Sequence, residues 1–265
     1  MCSNSMIKTV KTDDFEMDFF SFGHGDRTML IIPGVSVKSV LLSAAAIANI
    51  YSMFSEDYTV YLFDYRKGLP DNFGVEDMAN DLAKAMKVLG LSDAYIMGTS
   101  HGGMMAQYLA KDYPELVSKM VLISSLSKQN PLSTETFSEW VRLAENGDRI
   151  LLNRDVSNRV YGKAFFERNF DAIKAMEDTG EPDDIKRFRT LAKPCGEMNM
   201  YDELDQIKVP VMVICAWGDR VLGWEASLEI AEKLSCTIHI VEGFGHSIYD
   251  EYAKIKDMVY GFFEE

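Results

Sequence analysis

The chain has 265 residues, of which 47% are apolar and 26% are charged, and these values exclude an intrinsically disordered or fibrous protein. Its length allows one α/β domain with a sizeable core, alone or carrying an insertion. The formal net charge of −14 would repel nucleic acid and anionic lipid headgroups, so we expect neither a nucleic-acid partner nor a membrane partner.

The cysteines and the N-terminal segment favour a cytoplasmic protein. The cysteines show no metal-ligand spacing and are too few for a disulfide framework, so we expect no metal and a reducing environment; they are Cys2, Cys195, Cys215 and Cys236. The segment Met1–Lys8 lacks the apolar core of a secretion signal, and no run approaches the roughly 18 apolar residues that span a bilayer. The alternative is an exported protein whose N-terminal leader has been removed.

Strand and helix patterns alternate through the first half of the chain, which predicts βαβ units on a mostly parallel sheet. The predicted elements are a strand at 28–32 closed by Pro33-Gly34, a helix at 40–51, a strand at 58–63, a helix at 75–89, a strand at 93–97, a helix through Met104–Leu109 that ends before Pro114, and a strand at 119–123. The helix at 40–51 is rich in Ala, Leu and Ile, so we expect it to be buried on most sides.

The alternation lapses from about residue 124 to 206, where the sequence is helical and polar with scattered aromatic residues. It resumes with a strand at 209–216, a helix at 224–234 and a strand at 237–241. A long helical stretch between two sheet strands predicts a helical cap inserted into the sheet domain. We therefore expect a core formed by residues 1–125 and 206–265, and a cap formed by residues 126–205.

A G-x-S-x-G motif, Gly98-Thr99-Ser100-His101-Gly102, lies between a predicted strand and a predicted helix. A nucleophile on a strained strand-to-helix turn needs small residues two positions before and after it, because the backbones approach closely there. The helix N-terminus also favours a developing anion. The motif predicts Ser100 as a catalytic nucleophile; the alternative is a serine that only caps the helix.

With this motif the chain resembles the α/β-hydrolase superfamily over nearly its whole length. The resemblance extends to the Pro33-Gly34 loop, to Asp64–Gly68 after the second parallel strand, and to the Asp219 and His246 segments. It implies an α/β-hydrolase fold, in which a mostly parallel central sheet is flanked by helices and carries an inserted helical cap.

A serine hydroxyl needs a base, and the chain has four histidines. We place His24 in an early β-hairpin turn on the surface and His239 half-buried inside a strand, and we expect the His101 side chain to point away from the Ser100 oxygen. His246 remains, in Gly243-Phe244-Gly245-His246, which resembles the loop that carries the base in the family. A plain loop histidine is the alternative reading of His246.

The family order of serine, acid and histidine implies an acid between Ser100 and His246, after a strand. Asp219 follows Gly218 at the end of a buried strand and resembles the family acid, with Glu225 as its rival and helix capping as its alternative role. The acid position after the preceding strand is occupied by Ser124–Ser127, which offers no carboxylate. Asp219 would orient His246 and stabilise its imidazolium form.

The resemblance also implies an oxyanion hole made of the backbone amides of Val35 and His101. Pro33 stands where the family commonly has His, which removes a side-chain donor from this loop, and Ser36 is either a third donor or a solvent-facing serine. The cap contributes aromatic and Met side chains, which favour an apolar or small aromatic acyl group: Phe137, Trp140, Tyr161, Phe165, Phe166, Phe170, Met176, Phe188, Met198, Met200 and Tyr201. The cap arginines, expected mainly at its surface, are Arg142, Arg159, Arg168 and Arg189.

These residues predict a serine hydrolase that cleaves a small-molecule ester or thioester through an acyl-enzyme, without a cofactor. An acyltransferase or a carbon-carbon bond hydrolase could use the same triad. A hydrolase-fold small-molecule receptor or signalling module with slow turnover is the alternative from another class. The sequence does not fix the oligomeric state.

Overall fold

A computed structural model describes residues 7–265 and contains eight strands and eleven α-helices in that range. The strands are β1 (Lys8–Lys11), β2 (Glu16–Phe22), β3 (Arg27–Ile32), β4 (Tyr58–Arg66), β5 (Ala94–Thr99), β6 (Val117–Ile123), β7 (Val211–Ala216) and β8 (Thr237–Val241). The helices are α1 (Ala44–Ile50), α2 (Val75–Val88), α3 (His101–Asp112), α4 (Pro131–Glu145), α5 (Arg149–Val160), α6 (Lys163–Arg168), α7 (Phe170–Met176), α8 (Pro182–Ala192), α9 (Trp224–Leu234), α10 (Ile248–Glu251) and α11 (Ile255–Glu264).

The eight strands form one sheet in the order β1-β2-β4-β3-β5-β6-β7-β8. The pairs β1/β2 and β2/β4 are antiparallel, and all the other pairs are parallel. The predicted mostly parallel sheet is therefore confirmed. Because parallel strands share one direction, the loops after β3, β5, β7 and β8 all leave the sheet at its carboxyl edge, where ligands bind in open α/β sheets.

Both faces of the sheet are covered by helices, as parallel strands require. Alternate residues of β3, β5 and β6 point to opposite faces: Leu30, Ile96 and Leu122 join the core under α2, α3 and α9, whereas Met29, Met97 and Val121 join the core under α1 and α11. These central strands are apolar on both faces, which is why their sequences read as continuous apolar runs.

Helices α4 to α8 all lie between β6 and β7 in the chain. The chain enters and leaves this segment through two short stretches that pair with each other: Lys128 bridges Asn199, and the Met200 amide donates to the Ser127 carbonyl at 2.7 Å. The helical character predicted for 124–206 is confirmed. The division into a core of 1–125 and 206–265 and a cap of 126–205 stays a prediction.

Three local predictions were wrong. The 40–51 segment is a 3-10 helix (Val40–Ser43) followed by α1, and it lies largely exposed, with 74% of Leu42 accessible, because only one side packs on the sheet. The turn at His24 is exposed but is no hairpin, since β4 lies between β2 and β3 in the sheet. His239 is exposed rather than half-buried, because β8 is an edge strand.

The N-terminal predictions fall mostly on residues 1–6, including Cys2, which lie outside the described residues. Within residues 7–265, no helix combines the length and apolar character needed to cross a membrane.

Candidate active site

Ser100 occupies the turn between β5 and α3, with backbone angles of φ 52° and ψ −119°. This left-handed conformation is costly for a residue with a side chain, and it is typical of functional turns. Close packing explains the flanking glycines, because a Cβ on Gly102 would lie 2.0 Å from the Ile32 carbonyl oxygen and one on Gly98 would lie 2.8 Å from the Gly102 carbonyl oxygen. The strained turn predicted from the motif is confirmed.

His246 lies in the loop after β8, and its Nε2 is 2.8 Å from the Ser100 Oγ. The other ring nitrogen, Nδ1, is 2.8 Å from Asp219 Oδ2. Because an ionised carboxylate can only accept a hydrogen bond, Nδ1 carries the imidazole proton and Nε2 is left to accept from Ser100. The structure thus brings the three predicted residues together, although they lie 146 and 27 positions apart along the chain.

Asp219 is almost fully buried, and its second oxygen, Oδ1, accepts hydrogen bonds from the amides of Val221 and Leu222 at 2.8 and 2.9 Å. Burial alone would raise the pKa of Asp219, but the neighbouring His246 and the two amides outweigh it and hold the pKa below its usual value. The carboxylate is therefore a charged acceptor that fixes the His246 ring. Glu225, the rival acid, is exposed at the start of α9.

Neither of the two amides predicted for the oxyanion hole is engaged by the described part of the chain. Within residues 7–265, no hydrogen bond uses the backbone amide of Val35 or of His101. The loop of Val35 lies against Ser100, since a Cβ on Gly34 would be 3.2 Å from the Ser100 Cβ. Ser36 donates its hydroxyl to the Lys38 carbonyl at 2.7 Å, so it stabilises its own loop.

His101 is fully buried, and its Nδ1 lies 2.8 Å from the Tyr65 hydroxyl. Burial lowers the pKa of His101 to about 4, so the ring is neutral. The rings of Tyr65 and His101 also stack, with their centroids 5.8 Å apart. The His101 side chain thus points toward Tyr65 and away from the Ser100 oxygen, as predicted. Its backbone amide makes no hydrogen bond within residues 7–265.

The site is closed in this conformation, since Ser100 is 4% exposed and His246 is 3% exposed. Exclusion of water strengthens hydrogen bonds and charge interactions at such a site.

The arginines that contact residues around the site are not the four named from the sequence. Arg142, Arg159 and Arg189 pair with acidic residues of the helical segment, and Arg168 lies over the Phe165 ring. Arg187 of α8 instead forms an ion pair with Asp64 at the end of β4, and its guanidinium lies 5.2 Å from the Tyr65 ring centre. Sequence reasoning missed Arg187, and also Arg220 and Glu251 near Asp219 and His246, because each has a partner far away in the chain.

Five of the eleven aromatic and Met side chains named from the sequence are buried in the core, and the other six are partly or largely exposed. Phe137, Trp140 and Phe188 are buried and pack on one another. Phe170 and Met176 are largely exposed. Tyr161 and Phe165 stack with their ring centres 5.0 Å apart, beside the His246 loop.

Known proteins share this architecture. A protein named "Putative carbamate hydrolase RutD" from Rhizobium rhizogenes is 25% identical over 201 residues, which cover 71% of this chain and 75% of that protein. The crystal structure of MGS-M2, an alpha/beta hydrolase enzyme from a Medee basin deep-sea metagenome library, has a TM-score of 0.85 at 19% identity, covering 97% of this chain and 98% of the other. The enol-lactonase from Burkholderia xenovorans LB400 has a TM-score of 0.84 at 17% identity, covering 97% and 100% of the two chains.

The family model of the alpha/beta hydrolase fold matches residues 44–253, which is most of the chain. The resemblance inferred from the motifs is confirmed, and the matches support a hydrolase of this fold. The chain therefore belongs to the alpha/beta hydrolase fold family.

Proposed function

We propose that this protein is a serine hydrolase that cleaves a carboxylic ester or thioester of a small apolar or aromatic acyl group through an acyl-enzyme. The observation that carries the proposal is the chain of hydrogen bonds from Ser100 Oγ through His246 to Asp219, with 2.8 Å at each step. A helix cap or a loop histidine would not require this arrangement.

The proposed reaction begins with attack of the Ser100 Oγ on the substrate carbonyl carbon, as its proton passes to His246 Nε2. The carbonyl oxygen becomes an oxyanion and accepts hydrogen bonds from the amides of Val35 and His101. The leaving alcohol or thiol then takes the proton from Nε2, which leaves the acyl group on Ser100. Water repeats the sequence with His246 as its base and releases the acid, so the chemistry uses side chains, backbone amides and water.

Other carbonyl compounds fit the same chemistry. The relatives and neighbours include proteins named for carbamate and enol-lactone hydrolysis, and both compounds carry a carbonyl with a heteroatom leaving group. We propose the helical segment 126–205 as the cap that decides among them. The same triad would serve an acyltransferase or a carbon-carbon bond hydrolase, so the nature of the bond has to be tested directly.

The test is labelling of the protein with a fluorophosphonate, followed by steady-state turnover of nitrophenyl esters, a thioester and a carbamate of matched acyl size. Wild type should label at Ser100 and turn over the ester or thioester. Ser100→Ala should do neither while keeping its circular dichroism spectrum. Ser43→Ala removes an exposed hydroxyl outside the proposed site and should behave like wild type.

Two outcomes would overturn the proposal. Labelling at another residue of Ser100→Ala would remove Ser100 from the nucleophile position. A single stoichiometric burst followed by no turnover on every substrate would favour a receptor or signalling module instead.

A further inference from the structure

The loop that carries His246 packs directly on a turn of the helical segment. This turn, Val160–Gly162, joins α5 to α6, and the Ser247 amide donates to its Val160 carbonyl at 2.8 Å. The two backbones approach so closely that a Cβ on Gly245 would lie 2.4 Å from the Gly162 nitrogen. Both glycines are therefore required for this contact.

A single carboxylate joins the two backbones. Glu251, in α10, accepts a hydrogen bond from the Gly162 amide at 2.9 Å and from the Gly245 amide at 3.3 Å, both at Oε1. Its second oxygen is 3.4 Å from the same Gly245 amide. Gly245 immediately precedes His246, so the carboxylate acts on the backbone that orients the imidazole.

The loop that carries Asp219, which we call the acid loop, is hydrogen-bonded to the same turn. Arg220 follows Asp219, and its guanidinium donates to the carbonyl of Tyr161 at 2.8 Å and to that of Asn158. The loops of both Asp219 and His246 thus rest on the end of α5. Neither loop is held there by strand pairing, because β7 and β8 end at Ala216 and Val241.

We propose that Glu251 is a positioning residue, whose carboxylate clamps the His246 loop to the Val160–Gly162 turn and thereby holds the imidazole at hydrogen-bond distance from Ser100. This inference rests on the proposed serine hydrolase function. A misplacement of a catalytic group by about 1 Å can cost about 100-fold in rate. Loss of the carboxylate would also leave two amides without their acceptor.

The experiment compares Glu251→Ala, Glu251→Asp and Glu251→Gln with wild type. Glu251→Ala should lower kcat about 100-fold with KM changed less than about threefold, because the base moves while the substrate pocket stays. Glu251→Asp keeps the charge but shortens the reach by one methylene, so it should also lose most of the rate. Glu251→Gln keeps an amide oxygen at the position of Oε1 and should recover to within about tenfold of wild type. Glu242→Ala removes an exposed carboxylate of the same loop and should leave kcat unchanged.

A second readout does not depend on turnover. The Nδ1 proton of His246, hydrogen-bonded to Asp219 in a buried site, should give a low-field proton NMR signal that is absent from His246→Ala. The signal should persist in Glu251→Gln and broaden or disappear in Glu251→Ala and Glu251→Asp. If wild type fails to hydrolyse any substrate, the NMR series still tests the clamp, so failure of the clamp and failure of the proposed function can be told apart.

The proposal is overturned if Glu251→Ala and Glu251→Asp keep both wild-type kcat and the His246 signal. It is also overturned if KM rises while kcat stays constant, since Glu251 would then act on substrate binding. A folding defect in Glu251→Ala alone would leave Glu251→Asp and Glu251→Gln to decide.

Discussion

The backbone of Ser100 is strained by the same geometry that presents its hydroxyl. A residue with a Cβ at φ 52° and ψ −119° costs of order 1–3 kcal/mol, whereas glycine adopts such angles freely. The dense packing of the turn around Gly98 and Gly102 holds this conformation in place. We therefore expect the folded protein to be less stable with a residue that carries a Cβ at position 100 than with glycine there.

Ser100→Gly should unfold at a higher temperature than Ser100→Ala. Both variants lack the hydroxyl, but only Ala keeps the strained Cβ, and the relief should exceed the added chain entropy of glycine by about 1 kcal/mol. Thermal unfolding of the two variants followed by circular dichroism measures the difference. Equal or reversed midpoints would mean that the turn stores no strain.

Asp219→Asn should keep the fold and lose about 10⁴ in kcat. The amide oxygen can still accept from Val221 and Leu222, while the amide nitrogen faces His246 and favours the wrong imidazole tautomer. Steady-state kinetics on the best ester measure the loss, with Glu225→Gln as the control at the exposed rival acid. A full-rate Asp219→Asn enzyme would contradict the assignment, and a collapse of Glu225→Gln would transfer the role to Glu225.

The sequence was sufficient to place Ser100, Asp219 and His246, because each follows a strand within a recognisable local motif. It was not sufficient for Glu251 or Arg220. Glu251 meets the Gly162 amide across 89 positions, and no local pattern marks that contact. Contacts such as those of Glu251 and Arg220 depend on where the helical segment lies on the sheet, and that is tertiary information.

At the scale of elements, α4 links the helical segment to the acid loop through its first turn. Asn130 caps the helix, since its Oδ1 accepts from the Ser133 amide at 2.9 Å. Its Nδ2 donates to the carbonyl of Leu222 at 2.7 Å, and Leu222 lies three residues after Asp219. One side chain therefore both begins a helix and holds the acid loop.

Asn130→Ala should lower the free energy of unfolding by about 2 kcal/mol, because it removes the cap and the bond to Leu222, each contributing about 1 kcal/mol. Asn130→Ser can still cap the helix but lacks the donor, so it should lose about half as much. Urea denaturation of the three proteins measures both contributions. If Asn130→Ser is as unstable as Asn130→Ala, the cap contributes nothing here.

The bounds of the helices and strands were predicted better than the burial of their side chains. The bounds of α9 and β8 agree with the prediction, since both have clear periodicity and end signals. The strands β1 and β2 were missed, because β1 has only four residues and β2 mixes polar residues with apolar ones. The exposure of α1 follows from its packing on one side only, and the exposure of His239 follows from the edge position of β8; periodicity reports neither.

At the scale of the whole molecule, stability should respond to pH through Asp81. This carboxylate is 7% exposed and lies 3.6 Å from the Arg66 guanidinium, yet burial outweighs that attraction and raises its pKa to about 6. An unfolded chain would give the ordinary value of about 3.9. The folded state therefore binds the proton more tightly, and stability from this group is present at low pH and is lost as pH rises from about 4 through 6.

Asp81→Asn cannot titrate, so its free energy of unfolding relative to wild type should rise between pH 4 and 7, by about 2 kcal/mol. Urea denaturation of both proteins at several pH values gives the difference directly. Asp250, whose pKa is also raised to about 6, is present in both proteins and does not affect the comparison. Parallel stability curves would show that Asp81 is not the responsive group.

The paired stretches at Lys128 and Asn199 bear on whether the helical segment between them could be replaced. The chain leaves and re-enters the core at nearly one point, between two strands that are neighbours in the sheet. We expect that a segment of another length could replace residues 129–198 without changing the pairing of β6 and β7, because Ser100, Asp219 and His246 all lie outside that range. A replacement segment would need a glycine at the position of Gly162. A larger residue there would clash with the backbone of Gly245, in the loop that carries His246.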